Sequence, residues 1–161
     1  MDKKGSFFKG FYMEQTNDLI YYSFPITMVK RESDGTVRIS GKATGPEVDH
    51  DDQRMDADFI KRRFPEWADT WANIRQMHST NLAPAGVATS YRIDPDGSAF
   101  IDVRVDNPEA AHLCERGVYK AFSVGISKPK IETDMTGRAR RGVITDGTFV
   151  ETSLVDYPAN P

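Results

Sequence analysis

Between Ala111 and Pro129 the chain reads AHLCERGVYKAFSVGISKP, and the second half of this stretch decides the fold. From Lys120 to Ser127 side chains of an extended strand alternate between faces. Lys120, Phe122, Val124 and Ile126 fall on one side; Ala121, Ser123, Gly125 and Ser127 fall on the other. One face is bulky and the other nearly bare. A strand covered on both sides carries branched residues on both, whereas a bare face lets another backbone approach closely. Ser123 is therefore expected to be approachable. Small residues on a strand also serve tight packing against a neighbour, so this pattern alone does not make Ser123 a nucleophile.

Working outward, Asp106 or Asn107 can cap a helix that has Pro108 in its first turn, AAHLCER in its body and Gly117 at its end. After the serine strand comes a polar loop with Thr136-Gly137-Arg138 and the basic pair Arg140-Arg141, then a second strand, TFVETSLVDY (148–157). Upstream, GVATSYRI, the turn Asp94-Pro95-Asp96-Gly97 and SAFIDVRV read as a hairpin. MDADFIKRRF (55–64) predicts a short helix that Pro65 ends, with Pro65 opening a second helix whose Trp67, Trp71 and Ile74 share one core-facing stripe. The β-rich run from Phe7 to Val29, the Asp34-Gly35 turn and TVRISGKATG supply the opening strands. The stretch GPEVDHDDQRM (45–55) has no apolar period and reads as a solvated acidic loop. Strands outnumber helices, which predicts one mainly β domain over residues 1–161 with a few packed helices, an α+β fold that a small β-barrel would satisfy.

Composition removes several function classes. Twenty-one Lys and Arg against 24 Asp and Glu leave a net charge of -3, so no global field draws a nucleic acid. Cys114 is the sole cysteine, which excludes a disulfide framework or a cysteine-rich zinc site. No apolar run approaches the roughly 20 residues of a membrane span, and MDKKGSFFKGF lacks the apolar stretch of a signal peptide, so a soluble, unexported protein is expected, with no membrane partner.

A serine becomes nucleophilic when a base within hydrogen-bond reach takes its proton, and histidine is the usual base. Three histidines are present. His112 lies inside the capped helix, where packing or solvent exposure explains it. His50 stands with Asp49, Asp51 and Asp52, a group that could ligate a hard cation but reads more simply as a solvated loop, so neither metal nor cofactor is expected. His78 precedes the loop STNLAPAG and follows the tryptophan-bearing segment, a rigid platform for a base. Glu151 or Asp156 can orient the imidazole. An unbroken strand puts Glu151 with Phe149, Ser153 and Val155, and Asp156 with Val150, Thr152 and Leu154, so only one of the two acids can serve His78. The loop at Arg140 and Arg141, together with Gly125, offers weaker candidates for oxyanion or substrate contacts.

The segments QMHS, AHLCERGVYKAFSVGISKP and FVETSLVDYPANP, in this order, resemble the motif set of tailed-bacteriophage prohead (capsid maturation) serine proteases, over about the last half of the chain. The matched positions are His78, Gly117, Ser123-Val124-Gly125 and Glu151 through Pro161. The resemblance implies a barrel surrounded by helices, similar to herpesvirus assemblin proteases. It also implies an endopeptidase that cuts scaffold and major-capsid-protein segments, and itself, inside the immature shell in the host cytoplasm. Ser123 would be the nucleophile, His78 the base, and Glu151 the third member with Asp156 in reserve. By the same likeness a homodimer is an expected active form, and the end at Pro161 is read as a trimmed or self-processed terminus. The rival reading is a catalytically inactive scaffolding or assembly module with the same fold.

Overall fold

The computed structural model describes residues 19–158. The part of the expected opening strands at residues 7–18, and the closing residues 159–161, lie outside them. Among the described residues, eight strands and two helices follow in chain order: β1 (Ile20–Arg31), β2 (Val37–Thr44), β3 (Arg54–Met55), α1 (Ala57–Ala68), β4 (Asn73–Gln76), β5 (Gly86–Ile93), β6 (Ala99–Val105), α2 (Pro108–Glu115), β7 (Ala121–Glu132) and β8 (Val143–Val155).

Strands pair in the order β8-β4-β5-β6-β2-β1-β7, and β7 pairs back to β8, closing a seven-strand barrel; the two-residue β3 adds to the start of β8. Closure leaves few unpaired edges. β4 runs parallel to β8 with Gln76 opposite Leu154, whereas β7 and β8 run antiparallel with Ser123 opposite Ser153. Phe122, Val124 and Ile126 of β7 point into the core, where they meet Tyr22, Ile39, Val103 and Leu154. The bulky face inferred for the serine strand is the interior, and the bare face is the outside of the barrel.

Asn107 caps α2 through its side chain onto the Ala110 N–H, Pro108 takes the first turn, and Gly117 follows the C-cap Arg116 at φ 70°, a left-handed position that glycine adopts without strain. The hairpin of β5 and β6 closes through Asp94 and Ser98 as its turn chemistry predicts.

Pro65 does not divide the segment in two. A single helix, capped by Asp56, runs through it from Ala57 to Ala68. An interior proline costs about 3 kcal/mol, while burying a large apolar side chain returns about 1.5–3 kcal/mol. Phe64 and Trp67, both buried beside it, are enough to offset the break. The chain turns at Asp69, so the expected helical stripe is incorrect: Trp67 is buried on α1, Ile74 is buried on a strand, and Trp71 between them is 76% exposed. The four-then-three spacing spans a helix end, a turn and a strand.

In β8 the expected face assignment also needs correction. Gly125 stands opposite Glu151 but Ile126 stands opposite Phe149, so a bulge at Val150 shifts the alternation. Phe149 turns inward to stack on Phe59, 5.1 Å between ring centroids, while Glu151 and Ser153 point outward. None of the helices among the described residues is long and apolar enough to cross a membrane.

Candidate active site

Three neighbouring strands present two cross-strand rows on the outer face of the barrel. One row is Ser23, Ser123 and Ser153; the next is Tyr21, Gly125 and Glu151. Outward-facing side chains usually meet solvent, yet Ser123 and Glu151 are each 3% exposed and Ser153 is inaccessible.

His78 arrives from the side. β4 ends at Gln76, and the Met77 N–H donates to the Leu154 carbonyl at 2.9 Å, extending the pairing by one bond. Met77 and His78 then take left-handed conformations, φ 53° and 56°. Each costs about 1–3 kcal/mol for a residue with a side chain and persists only where the surroundings enforce it. Here they do. The His78 N–H donates to Ser153 Oγ at 3.1 Å, and the Ser79 N–H donates to the Gln76 carbonyl at 2.9 Å. The buried Gln76 amide donates to the Ala83 carbonyl and accepts from the Tyr119 hydroxyl, fastening both ends of the turn to the barrel.

This turn swings the imidazole back over the sheet. His78 Nε2 lies 2.8 Å from Ser123 Oγ, and His78 Nδ1 is hydrogen-bonded to Glu151 Oε1. The second carboxylate oxygen, Oε2, accepts from Ser153 Oγ at 2.7 Å. Tyr21 covers the ring from the β1 side, centroids 3.8 Å apart at an interplanar angle of 32°. Burial, and then the charge of Glu151, push the Tyr21 phenol above its usual range, against the opposing pull of Arg75. With the carboxylate accepting at Nδ1, the imidazole proton sits there and the Nε2 lone pair faces the serine hydroxyl.

Gly125 has a steric reason. A Cβ built there would stand 2.7 Å from Glu151 Oε1 and 3.4 Å from Tyr21 Cε1. The absent side chain leaves the corridor through which Glu151 reaches His78, so the glycine two residues after Ser123 belongs to the acid-imidazole contact.

Other sequence candidates lie elsewhere. Asp156 is exposed beyond the last residue of β8, and it is Glu151 that contacts the imidazole. His50 and His112 are both exposed. Arg140 pairs with Asp52 at 2.7 Å, and Arg141 lines a hollow with Tyr21, Asp49 and Gln53. Asp49 is occupied in its own turn, accepting from the Asp51 and Gln53 backbone N–H groups. The polar loop between β7 and β8 is organised by Asp134, which forms a two-bond ion pair with Arg54 and accepts the Thr136 and Ala139 N–H groups. The Arg54 guanidinium foremost, with those N–H donors, holds the Asp134 carboxyl far below its ordinary range.

Tyr21 was not singled out from the sequence, because its place above His78 depends on the β1–β7 register, a pairing across more than 100 residues. Ser153 was legible as sharing a face with Glu151, but its bond to the His78 backbone depends on the left-handed turn.

No family model matches this chain, and no curated protein sequence matches it. Among solved structures the fold is similar to that of the bacteriophage T4 capsid assembly protease gp21, with a TM-score of 0.69 over 86% of this chain and 97% of that one, at 10% sequence identity. At that identity the likeness establishes the fold.

Proposed function

We propose that this protein is a serine endopeptidase that matures a phage prohead, with Ser123 as nucleophile, His78 as general base and Glu151 as the acid that orients it. The observation that carries the reading is the placement of one imidazole between a serine hydroxyl and a buried carboxylate, each ring nitrogen within hydrogen-bond distance of its partner.

In the acylation step Ser123 Oγ attacks the scissile carbonyl carbon as its proton passes to His78 Nε2. Glu151 stabilises the imidazolium through Nδ1–H. The tetrahedral intermediate collapses, the C–N bond breaks, and Nε2 returns the proton to the leaving amine. Water, deprotonated by the same nitrogen, then hydrolyses the acyl ester and restores the Ser123 hydroxyl. No cofactor enters this sequence of proton transfers.

The substrate side of the proposal rests on the fold. The structurally similar T4 protein is a capsid assembly protease, which supports scaffold and capsid-precursor segments as substrates and the prohead inside the infected cell as the place of action. Arg141, at the edge of the hollow beside Tyr21, is the better placed of the two arginines to meet a bound peptide.

The test is reaction with a serine-directed phosphonate. Wild type and Ser123→Ala are incubated with the probe across protein concentrations, and intact mass is recorded. A single adduct confined to wild type is the expected result, and a rise in its rate with concentration would add a dimeric active form. An adduct on both proteins would move the nucleophile to another serine. Absence of an adduct at every concentration would leave the inactive assembly module as the better account.

A further inference from the structure

We infer that Ser153 is a positioning residue of this site: one buried hydroxyl ties the Glu151 carboxylate to the His78 backbone and thereby sets the proton affinity of the His78–Glu151 pair. Two contacts of a single oxygen carry this. Ser153 Oγ donates its proton to Glu151 Oε2 at 2.7 Å and accepts the His78 N–H at 3.1 Å. A serine hydroxyl has one donor and two acceptor sites, so the donor is spent on the acid and an acceptor on the base.

The hydroxyl does what neither the strand nor the turn does alone. Glu151 Oε1 is taken by His78 Nδ1; without Ser153 the buried carboxylate loses its second partner and is free to rotate about its terminal bonds. The His78 N–H sits in a left-handed turn that normal helix or sheet pairing does not satisfy. Ser153 fixes acid and base to a common point, so their separation is held by covalent geometry plus two hydrogen bonds. Its position directly opposite Ser123 also explains why two serines of one row differ. The Ser153 proton is committed to a carboxylate, while the Ser123 oxygen faces the free lone pair of Nε2.

Among the described residues, the groups in contact with the ring are Glu151 from β8, Ser123 from β7 and Tyr21 from β1; Ser153 of β8 reaches it through Glu151, and the charge of Arg75 from β4 is felt at Tyr21. The anionic form of the acid-imidazole pair needs hydrogen-bond donors, and Ser153 supplies one. Deleting it destabilises that form relative to the protonated pair, so the pair binds its proton more tightly.

The experiment measures two quantities in wild type, Ser153→Ala and Ser153→Cys: the pH dependence of the phosphonate reaction rate, and the titration of the His78 imidazole by NMR. In Ser153→Ala the acid limb of the rate profile and the imidazole midpoint both move to higher pH, by about one unit, the size expected for a hydrogen bond to a charged group. The plateau rate falls about tenfold or more through loss of alignment. Ser153→Cys, similar in volume with a weaker donor, falls between. In a Glu151→Gln background Ser153→Ala leaves the imidazole midpoint unmoved, since the charge it acts on is gone. A lower melting temperature with an unchanged midpoint and acid limb would overturn the inference and leave Ser153 a packing residue. The kinetic arm rests on the serine-hydrolase reading, but the titration does not: a wild type inert to the probe would sink that reading while the imidazole midpoints still decide the role of Ser153.

Discussion

The barrel carries two clusters made of nearly the same parts. On β7 and β8 a carboxylate, Glu151, stands beside Ser153 and one row from Ser123. Across the barrel wall, Asp102 of β6 stands between Ser40 of β2 and Ser90 of β5 in direct register. Both serines donate to it, Ser90 at 2.8 Å. A hollow of ≈ 340 Å³ adjoins this second cluster, so room for a ligand is not the difference. The difference is a base. Donation from Ser40 foremost and then Ser90 holds the Asp102 carboxyl below the usual range, against the effect of burial. A carboxylate so stabilised is a poor acceptor for a serine proton. At the first cluster, the short parallel strand β4 stops level with Leu154 and its left-handed turn inserts an imidazole between acid and hydroxyl. Acid and serine in register make a stabilising network; on the proposed reading, the inserted histidine is what turns such a pair into a nucleophile's site.

The largest effect expected from this contrast is on the phosphonate rate. His78→Ala should lower it by at least about 10²–10⁴-fold, the usual contribution of a positioned general base, while Ser40→Ala and Ser90→Ala leave it at the wild-type value. Stopped-time mass spectrometry on the four proteins is sufficient. A comparable loss from Ser40→Ala would erase the distinction between the clusters.

Gly125→Ala sharpens the same comparison from inside the site. The added methyl meets Glu151 Oε1, the movable end of a side chain, so the fold should tolerate it. Because that end is held by both His78 and Ser153, the carboxylate must leave its place, and a displacement near 1 Å costs about 10²-fold in rate. The expected outcome is a melting temperature close to wild type with a rate reduced by about that factor. An unchanged rate would show that Glu151 does not need its corridor.

The two clusters also show what was legible in the sequence. Strand alternation at 120–127 placed Ser123 on the bare face, and the helix at 108–115 was readable from its cap, proline and glycine, because all of these signals are local. Strand content allowed a barrel, and residue chemistry offered Ser123, His78 and Glu151 or Asp156 separately; resemblance to a motif order joined them and preferred Glu151. Two of the errors share a cause: at Trp71 and Phe149 a periodic pattern was carried across a break, a helix end in one case and a bulge in the other, that only packing decides. Tyr21 was beyond local reading because a residue near position 20 has no signal for its partner near 125. Arg54 and Asp134, 80 residues apart, are hidden for the same reason, although their buried ion pair anchors the loop before β8.

Asp102 gives the smallest effect and the cleanest sign. Its folded carboxyl titrates below the unfolded value, so the stability it contributes is fully present above an unfolded pKa near 3.9 and is lost as pH falls through the folded value. The group is only partly buried and screened by solvent, which limits the contribution to about 1 kcal/mol or less, a shift of about 2–4 °C in a domain of this size. Asp102→Asn should therefore melt slightly below wild type at pH 7, and the gap should close as the pH drops below about 4. The phosphonate rate should be unaffected at any pH where both proteins are folded. A gap that persists unchanged into acid would assign Asp102 to packing, because a charge held by hydroxyls must lose its advantage once it is protonated. A reduced phosphonate rate would mean that the two clusters communicate through the shared barrel wall, and the acid-serine network at β2, β6 and β5 would then belong to the site on β7 and β8.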